Sequence, residues 1–141
     1  MGEGCSFGVP PSLFAHGAPA QATLGNTSFG LESHGNDALA PVLPFVGLIP
    51  GAVDLGLGCT LFSSGAVGAG VIPLDARLAD AAGGVDIALS IPADPALEGL
   101  QLGVQALSFR SGGGPIAGSY DLSDAVRVRV GDDLQGCPGG N

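Results

Sequence analysis

The residue patterns in this chain that could support catalysis are isolated ones. Gly4 to Gly8 form a G-x-S-x-G pattern centred on Ser6, which in hydrolases lies on a sharp turn between a strand and a helix. The pair Pro10-Pro11 follows too closely for that helix to form. Residues 112–117 contain a G-x-G-x-x-A pattern, but Pro115 stands where a nucleotide-binding helix would begin. Both patterns therefore indicate loops.

The residues that could bind a metal ion are also dispersed. His16 and His34 are the only histidines, and neither lies at metal-ligand spacing from another candidate. Asp121 with Asp124, and the pair Asp132-Asp133, could offer oxygen ligands to Ca²⁺, but no calcium-loop pattern surrounds them. We expect surface histidines, solvated carboxylates, and no metal or cofactor.

The three cysteines, Cys5, Cys59 and Cys137, are too far apart for a zinc site, which uses close pairs of ligands. Two interpretations remain: one disulfide with the third cysteine free or linked to another chain, or three reduced, buried thiols. Cys5 and Cys137 lie in Gly-rich terminal segments where a buried thiol is not expected. This favours a disulfide and an oxidising compartment, although residues 1–14 show no signal-peptide pattern.

Composition excludes several classes of function. The 141 residues contain no lysine, four Lys plus Arg against thirteen Asp plus Glu, and a net charge of −9. A P-loop and a Schiff-base enzyme both need a lysine, and binding a nucleic acid backbone needs clustered cations. Prolines and glycines interrupt the long apolar stretches, so no transmembrane segment is expected. Hydrophobic residues make up 45% of the chain, which predicts a folded domain.

Alternating apolar and polar residues predict strands that would position these side chains. The clearest alternation covers Val85–Ile91, Leu100–Phe109 and Ala125–Val130, and weaker alternation covers Thr27–Ser33, Val42–Leu48, Cys59–Phe62 and Val67–Leu74. Gly- and Pro-rich turn sequences separate these segments. The pattern predicts an all-β fold, an antiparallel β-sandwich or jelly roll of about seven or eight short strands.

Helix is expected at few positions. Ala76–Ala82 has good helix formers, although Gly83-Gly84 could instead close a hairpin, and Asp94–Leu100 could form one short turn. Residues 1–22 contain Pro10, Pro11 and Pro19 and are predicted to form an extended N-terminal arm. The sandwich is expected to span residues 23–134, with a Gly-rich tail over 135–141.

Several segments in order resemble a C-terminal module of uncharacterised secreted proteins from planctomycetes and similar environmental bacteria. They are Gly4-Cys5, Gly17-Ala18-Pro19, Leu24 to Phe29, Gly58 to Leu61, Leu89 to Pro92, Asp94 to Leu97 with Gly99, Gln105-Ala106, and Ser123 to Ala125 with Arg127-Val128. The resemblance implies an extracellular β-sandwich with a Cys5–Cys59 disulfide and no established catalytic residues. This chain adds Cys137, in a segment similar to its start, so a Cys5–Cys137 pair is the alternative.

The scarcity of charge, 12% of residues, predicts apolar surface that a partner would cover. We expect a non-enzymatic extracellular or cell-surface protein, a subunit that assembles with itself into a fibre, filament or surface layer. Donation of the N-terminal arm to a neighbouring sheet edge is one route. A monomeric adhesion or carbohydrate-binding module, with glycans as partners, is the alternative. Asn26 begins the sequon Asn26-Thr27-Ser28 and is a candidate glycosylation site.

Overall fold

A computed structural model describes residues 4–16, 22–48, 53–56, 58–61 and 71–131, apart from a few side chains within the strands. The described residues form eleven strands and one short 3₁₀ helix over Pro95–Leu97. The strands are β1 Ser12–His16, β2 Gly30–His34, β3 Pro41–Leu48, β4 Val53–Gly56, β5 Cys59–Leu61, β6 Val71–Pro73, β7 Arg77–Leu78, β8 Val85–Ala88, β9 Gln101–Phe109, β10 Tyr120–Leu122 and β11 Val126–Arg129.

Two antiparallel sheets pack against each other, which confirms the predicted all-β sandwich. The smaller sheet has the strand order β1-β2-β8. The larger sheet has the order β10-β9-β3-β6, with β11 also paired to β9 and β7 also paired to β3. The strands β4 and β5 form a separate two-stranded ribbon. All these strand pairs are antiparallel, as expected for short strands joined by tight turns.

The core lies between the two sheets and follows from the alternation in the sequence. In β8, Val85 and Ile87 are buried while Asp86 and Ala88 are exposed. In β11, Val128 is buried while the arginines on either side of it are exposed. Other buried core residues are Leu13, Phe29, Leu31, Val42, Val46, Ile91, Val104, Ala106 and Val130. Each sheet therefore presents one apolar face to its partner and one face outward.

Strands β10 and β11 run along the same edge of β9 as one bent strand. Leu122 lies opposite Leu107 and Val126 lies opposite Val104. Between these two pairs the β10–β11 segment advances by four residues, whereas β9 advances by three. This is the count of a β-bulge. At the bulge the Ser123 hydroxyl accepts a hydrogen bond from the Ala106 amide at 2.8 Å. The bend turns the chain toward the N-terminal residues while preserving the core face.

The helix considered for Ala76–Ala82 is wrong. Arg77 and Leu78 form the short strand β7 beside β3, and a turn follows. The Asp80 carboxylate accepts hydrogen bonds from the Ala82 and Gly84 amides, both at 2.8 Å. Such an aspartate competes with helical hydrogen bonding by binding the backbone ahead of it. Gly83 has a φ of 83°, a backbone conformation that glycine adopts without strain. The alternative expectation, a hairpin closed by the glycines, is also wrong: a tight turn forms at residues 80–84, but β7 pairs with β3 whereas β8 pairs with β2, so the turn connects the two sheets.

The described N-terminal residues pair with strands of both sheets. Ser12–His16 pair with β2 as an edge strand of the smaller sheet. Farther toward the start, Cys5 exchanges two backbone hydrogen bonds with Leu122, at 2.8 and 3.0 Å. Part of the predicted N-terminal arm is thus the third strand of the smaller sheet, and the domain boundary expected at residue 23 stays a prediction. The predicted tail over 135–141 lies outside the described residues.

No helix in the described ranges has the length and apolar character needed to span a membrane.

Gly30 offers a direct test of the sheet packing. A Cβ atom at this position would lie 2.5 Å from the Ile87 carbonyl oxygen, which belongs to the neighbouring strand backbone. Since backbone cannot move as cheaply as a side chain, we expect Gly30→Ala to destabilise the fold by about 2 kcal/mol. Gly112→Ala is the control, because a Cβ there meets nothing within 4 Å. Equal stability of the two variants in urea unfolding would contradict the described β2–β8 packing.

Candidate functional site

The disulfide joins Cys5 to Cys59, with their Cα atoms 5.1 Å apart. It fixes the N-terminal segment to strand β5, and both cysteines are buried. They form a second apolar cluster with Leu122, against which Phe45, Leu107 and Ile116 pack. This cluster lies on the outward side of the larger sheet, because the core side is occupied by the alternate residues of β3 and β9. The Cys5–Cys59 pairing implied by the resemblance is therefore the one that the structure contains, and Cys137 lies outside the described residues.

Arg110 is the centre of the polar contacts at this end of the sandwich. Its Nε donates to Asp121 Oδ2 at 2.5 Å, and its Nη1 donates to Asp37 Oδ1 at 2.8 Å. Its Nη2 donates to the carbonyl oxygens of Val9 at 3.1 Å and Gly35 at 2.7 Å. One guanidinium therefore links the N-terminal segment, the β2–β3 loop and strand β10. Sequence analysis did not identify Arg110, and its only signal was a cation directly after a long apolar strand.

Ser6, the centre of the G-x-S-x-G pattern, belongs to the same cluster. Its hydroxyl donates to Asp121 Oδ2 at 2.6 Å, and it also accepts from the Gly8 amide at 3.0 Å. The Asp121 side chain is completely buried, so its charge needs the nearby guanidinium and hydroxyl donors. The serine thus acts as a structural hydrogen-bond donor to a carboxylate already paired with arginine.

The ionisation of the cluster follows from these contacts. The Ser111 backbone amide and then the Arg110 guanidinium lower the pKa of Asp37 below its ordinary value. Burial by itself would lower the pKa of Arg110, but its hydrogen bonds to Asp121 and Asp37 outweigh burial and raise that pKa. The charged forms are therefore the ones that the fold stabilises.

The carboxylates and histidines considered as metal ligands lie in separate places. Asp121 is paired with Arg110, whereas Asp124 Oδ1 accepts from the Gly4 amide at 2.8 Å. His34 Nε2 lies 2.6 Å from Glu32 Oε1 on the outward face of the smaller sheet. Among the described residues no group of three or more potential ligands comes together. Asp132-Asp133 lie outside these residues, and His16 is described only as backbone of β1.

Asn26 lies in the turn that precedes β2 and is partly exposed. Its Oδ1 accepts from the Ser28 amide at 3.0 Å, so the sequon folds back on itself as an Asx turn. Its backbone carbonyl accepts from the Ile91 amide at 3.0 Å, which holds the turn on the sandwich. Thr27 and Ser28 are exposed. The structure thus places the predicted modification site at the surface, and its glycosylation stays a prediction.

An apolar row crosses the outward face of the larger sheet. Leu78 lies opposite Pro41 on β3, and Phe109 lies opposite Tyr120 on β10. In the antiparallel pair of β3 and β9, Val42 lies opposite Ser108, which places Pro41 of β3 beside Phe109 of β9. Opposite residues in an antiparallel pair share a face. Leu78 is 69% exposed, and the rings of Phe109 and Tyr120 meet edge to face at 5.8 Å. Sequence alone did not reveal this row, because it requires the strand register.

Comparisons of the chain with protein-family models, with curated proteins and with solved structures gave no match. The resemblance described from the sequence therefore stays a prediction, and the geometry above is the basis for any functional proposal.

We expect Arg110→Met to destabilise the protein by about 3 to 5 kcal/mol, because it leaves the buried Asp121 carboxylate without its cation. Arg77→Met is the matched control. Arg77 is exposed and makes no ion pair with any residue that the structure describes, so its loss should change stability by less than about 0.5 kcal/mol. Denaturant unfolding at pH 7 measures both. An Arg110→Met variant as stable as Arg77→Met would contradict the role assigned to Arg110.

Asp37 should make the free energy of unfolding depend on pH in the acidic range. Its pKa is lower in the folded protein than the ordinary value of 3.8, so its contribution is complete above about pH 5 and is lost as pH falls through the folded pKa. The Asp37 side chain is 34% exposed, so we expect Asp37→Asn to cost less than about 1 kcal/mol at pH 7.

That cost should shrink steadily when unfolding is measured between pH 5 and pH 2. Glu98→Gln is the control, since Glu98 is exposed. A cost for Asp37→Asn that is independent of pH over this range would show that its carboxylate does not act through its charge.

Proposed function

We propose that this chain is a non-enzymatic subunit of an extracellular assembly, which associates with copies of itself through the outward faces of its sandwich. The observation that carries the proposal is the apolar row on the larger sheet, formed by Leu78, Pro41, Phe109 and Tyr120. Monomeric proteins rarely expose large contiguous apolar surface, and such patches mark contact sites. A row that crosses four neighbouring strands forms an extended apolar strip that could contact another sheet.

Leu39 is a further exposed apolar side chain, and its backbone adopts a conformation that is unfavourable for leucine. It has a φ of 61° and is 68% exposed. A left-handed conformation costs a non-glycine residue about 1 to 2 kcal/mol. The Leu39 amide donates to the Asp80 carbonyl at 3.3 Å, which holds it next to the end of β7. Strained residues cluster at functional positions, where the surrounding structure fixes them. An exposed leucine held in this way supports a contact role.

The disulfide supports an extracellular or cell-surface location. Disulfides persist in oxidising compartments and are rare in the cytosol. The low content of charged residues, 12% of the chain, also fits a protein whose surface is covered in an assembly. The groups that could have supported catalysis, Ser6 and Asp121 among them, are engaged in holding the N-terminal segment.

The proposed route of assembly is face contact between closed subunits. Donation of the N-terminal strand would require β1 to leave β2, and Cys5 to leave its disulfide with Cys59 in the same chain. It would also require Ser6 to leave the buried Asp121. Face contact needs none of these changes, because the apolar row is already exposed in the folded chain.

A second candidate is a monomeric carbohydrate-binding module. A groove of about 480 Å³ is lined by Ser6, Asp37, Arg110 and Ser111, among others. A concave site with a few convergent polar groups is the kind of place where a small polar ligand binds. Binding of the monomer to a glycan array, lost in Ser111→Ala, would favour this candidate over self-assembly.

Leu78→Ser tests the self-assembly proposal. It removes the most exposed aliphatic side chain of the row and should shift the protein from assemblies to monomer in sedimentation velocity. Ile72→Ser is a closely matched control. Ile72 is 64% exposed, but it pairs with the core residue Val46 and so does not point to the outward face. We expect Ile72→Ser to assemble as the wild type does.

Electron microscopy of the concentrated wild-type protein provides the second readout, with fibres or layers as the expected result. Discrete monomers at millimolar concentration would overturn the proposal. Equal loss of assembly in the two variants would show that general surface hydrophobicity, rather than the row, drives association.

A further inference from the structure

The outward faces of the two sheets carry opposite charges. On the smaller sheet, Glu32 of β2 lies directly opposite Asp86 of β8. Asp86 is exposed and Glu32 is partly exposed. On the larger sheet, Arg127 and Arg129 of β11 are both exposed, and the residue between them points into the core. One face therefore presents two carboxylates, and the other presents two guanidiniums.

Each pair places like charges side by side within a single chain. Like charges directly opposite on neighbouring strands destabilise a sheet, and the two carboxylate-bearing residues have Cβ atoms only about 5 Å apart. The two arginines, two residues apart on one strand face, are about 7 Å apart. Asp86, Arg127 and Arg129 make no ion pair with any residue that the structure describes.

The placement of the arginines is also unusual for this composition. The chain has four Lys plus Arg against thirteen Asp plus Glu, and one of the four is Arg110 within its buried cluster. Two of the remaining three stand side by side on one face. The two charged pairs lie on opposite outward faces of the sandwich, so one copy cannot bring its own pairs together.

We propose that the Arg127 and Arg129 pair of one copy binds the Glu32 and Asp86 pair of the next copy, so that subunits stack head to tail. This inference rests on the self-assembly proposed above, and it names the two surfaces that meet. Phe14 of β1 is 51% exposed and lies opposite Glu32 of β2, so it adds apolar surface to the acidic face. A contact between two different patches is heterologous, and patches on opposite faces extend it into an open filament.

Two charge-reversal variants test the pairing. Arg127→Glu/Arg129→Glu makes both outward patches acidic, and Glu32→Lys/Asp86→Lys makes both patches basic. Each variant alone should assemble only at a concentration at least about tenfold above that needed by the wild type, since like charges across an interface cost several kcal/mol. All four positions are at strand surfaces, and circular dichroism verifies that the variants fold.

An equimolar mixture of the two variants should assemble again, because the acidic patches of the first variant then meet the basic patches of the second. The control mixes the acidic variant with the same variant carrying Ala81→Lys/Ala82→Lys in addition, which adds two cations at the exposed turn before β8 and leaves both outward patches acidic. That mixture should not recover assembly.

The outcomes separate this inference from the function on which it rests. If the wild type assembles and the reversed variants assemble equally well, the charged pairs are not the contact, although self-assembly stands. If both variants fail alone and their mixture also fails, head-to-tail pairing is overturned. If the wild type remains monomeric at every concentration, both proposals fail.

Discussion

The pairing of Arg110 with the buried Asp121 is the interaction on which the arrangement of this protein depends. A carboxylate without solvent contact cannot stay ionised in the interior unless a cation and hydrogen-bond donors compensate for lost hydration. The guanidinium supplies the charge and Ser6 supplies a hydroxyl. Because arginine has five donors in a fixed plane, the same group also holds Asp37 and two backbone carbonyls. The N-terminal segment, the β2–β3 loop and strand β10 are thereby joined at one point.

This constraint determines which surfaces are available to partners. With Cys5 bonded to Cys59 and the N-terminal residues paired inside the chain, the segment that might have been donated is already in use. What remains exposed on the outward faces is an apolar row and two arginines on the larger sheet, outside its buried disulfide cluster, and two acidic residues with an exposed phenylalanine on the smaller sheet. Function is therefore proposed on the faces of a closed subunit rather than on an exchanged strand.

Much of the fold could be predicted from residue alternation, because half-buried strands require it. Val85 to Ile87 and Val126 to Val128 show this directly. Strand β1 was missed because its residues follow two prolines and show little alternation, and its pairing with β2 is decided by contacts distant in sequence. The helix considered near Arg77 failed because Asp80 binds the backbone of the following turn. Helix propensity says nothing of that competing hydrogen bond.

The candidate site was less predictable than the fold. Ser6 and Asp121 were noticed as types that could do chemistry, but their contact spans 115 residues and no local pattern announces it. The apolar row and the charged pairs depend on strand register, which brings Leu78 beside Pro41 and Glu32 beside Asp86. A single sequence does not contain that register in readable form. The Cys5–Cys59 disulfide was anticipated only through a family resemblance, since residue spacing left the alternatives open.

Isotope-resolved mapping of the disulfide in assembled protein tests the central claim most directly, namely that closed subunits associate through their faces. Equal amounts of ¹⁴N- and ¹⁵N-labelled chains are mixed while unfolded and reduced, refolded under oxidising conditions, and allowed to assemble. Proteolysis without reduction then releases the Cys5–Cys59 peptide pairs for mass spectrometry. The account predicts that both halves of every pair carry the same label. Pairs with mixed labels, approaching half of the total, would show that the N-terminal segment is exchanged between chains and would contradict it.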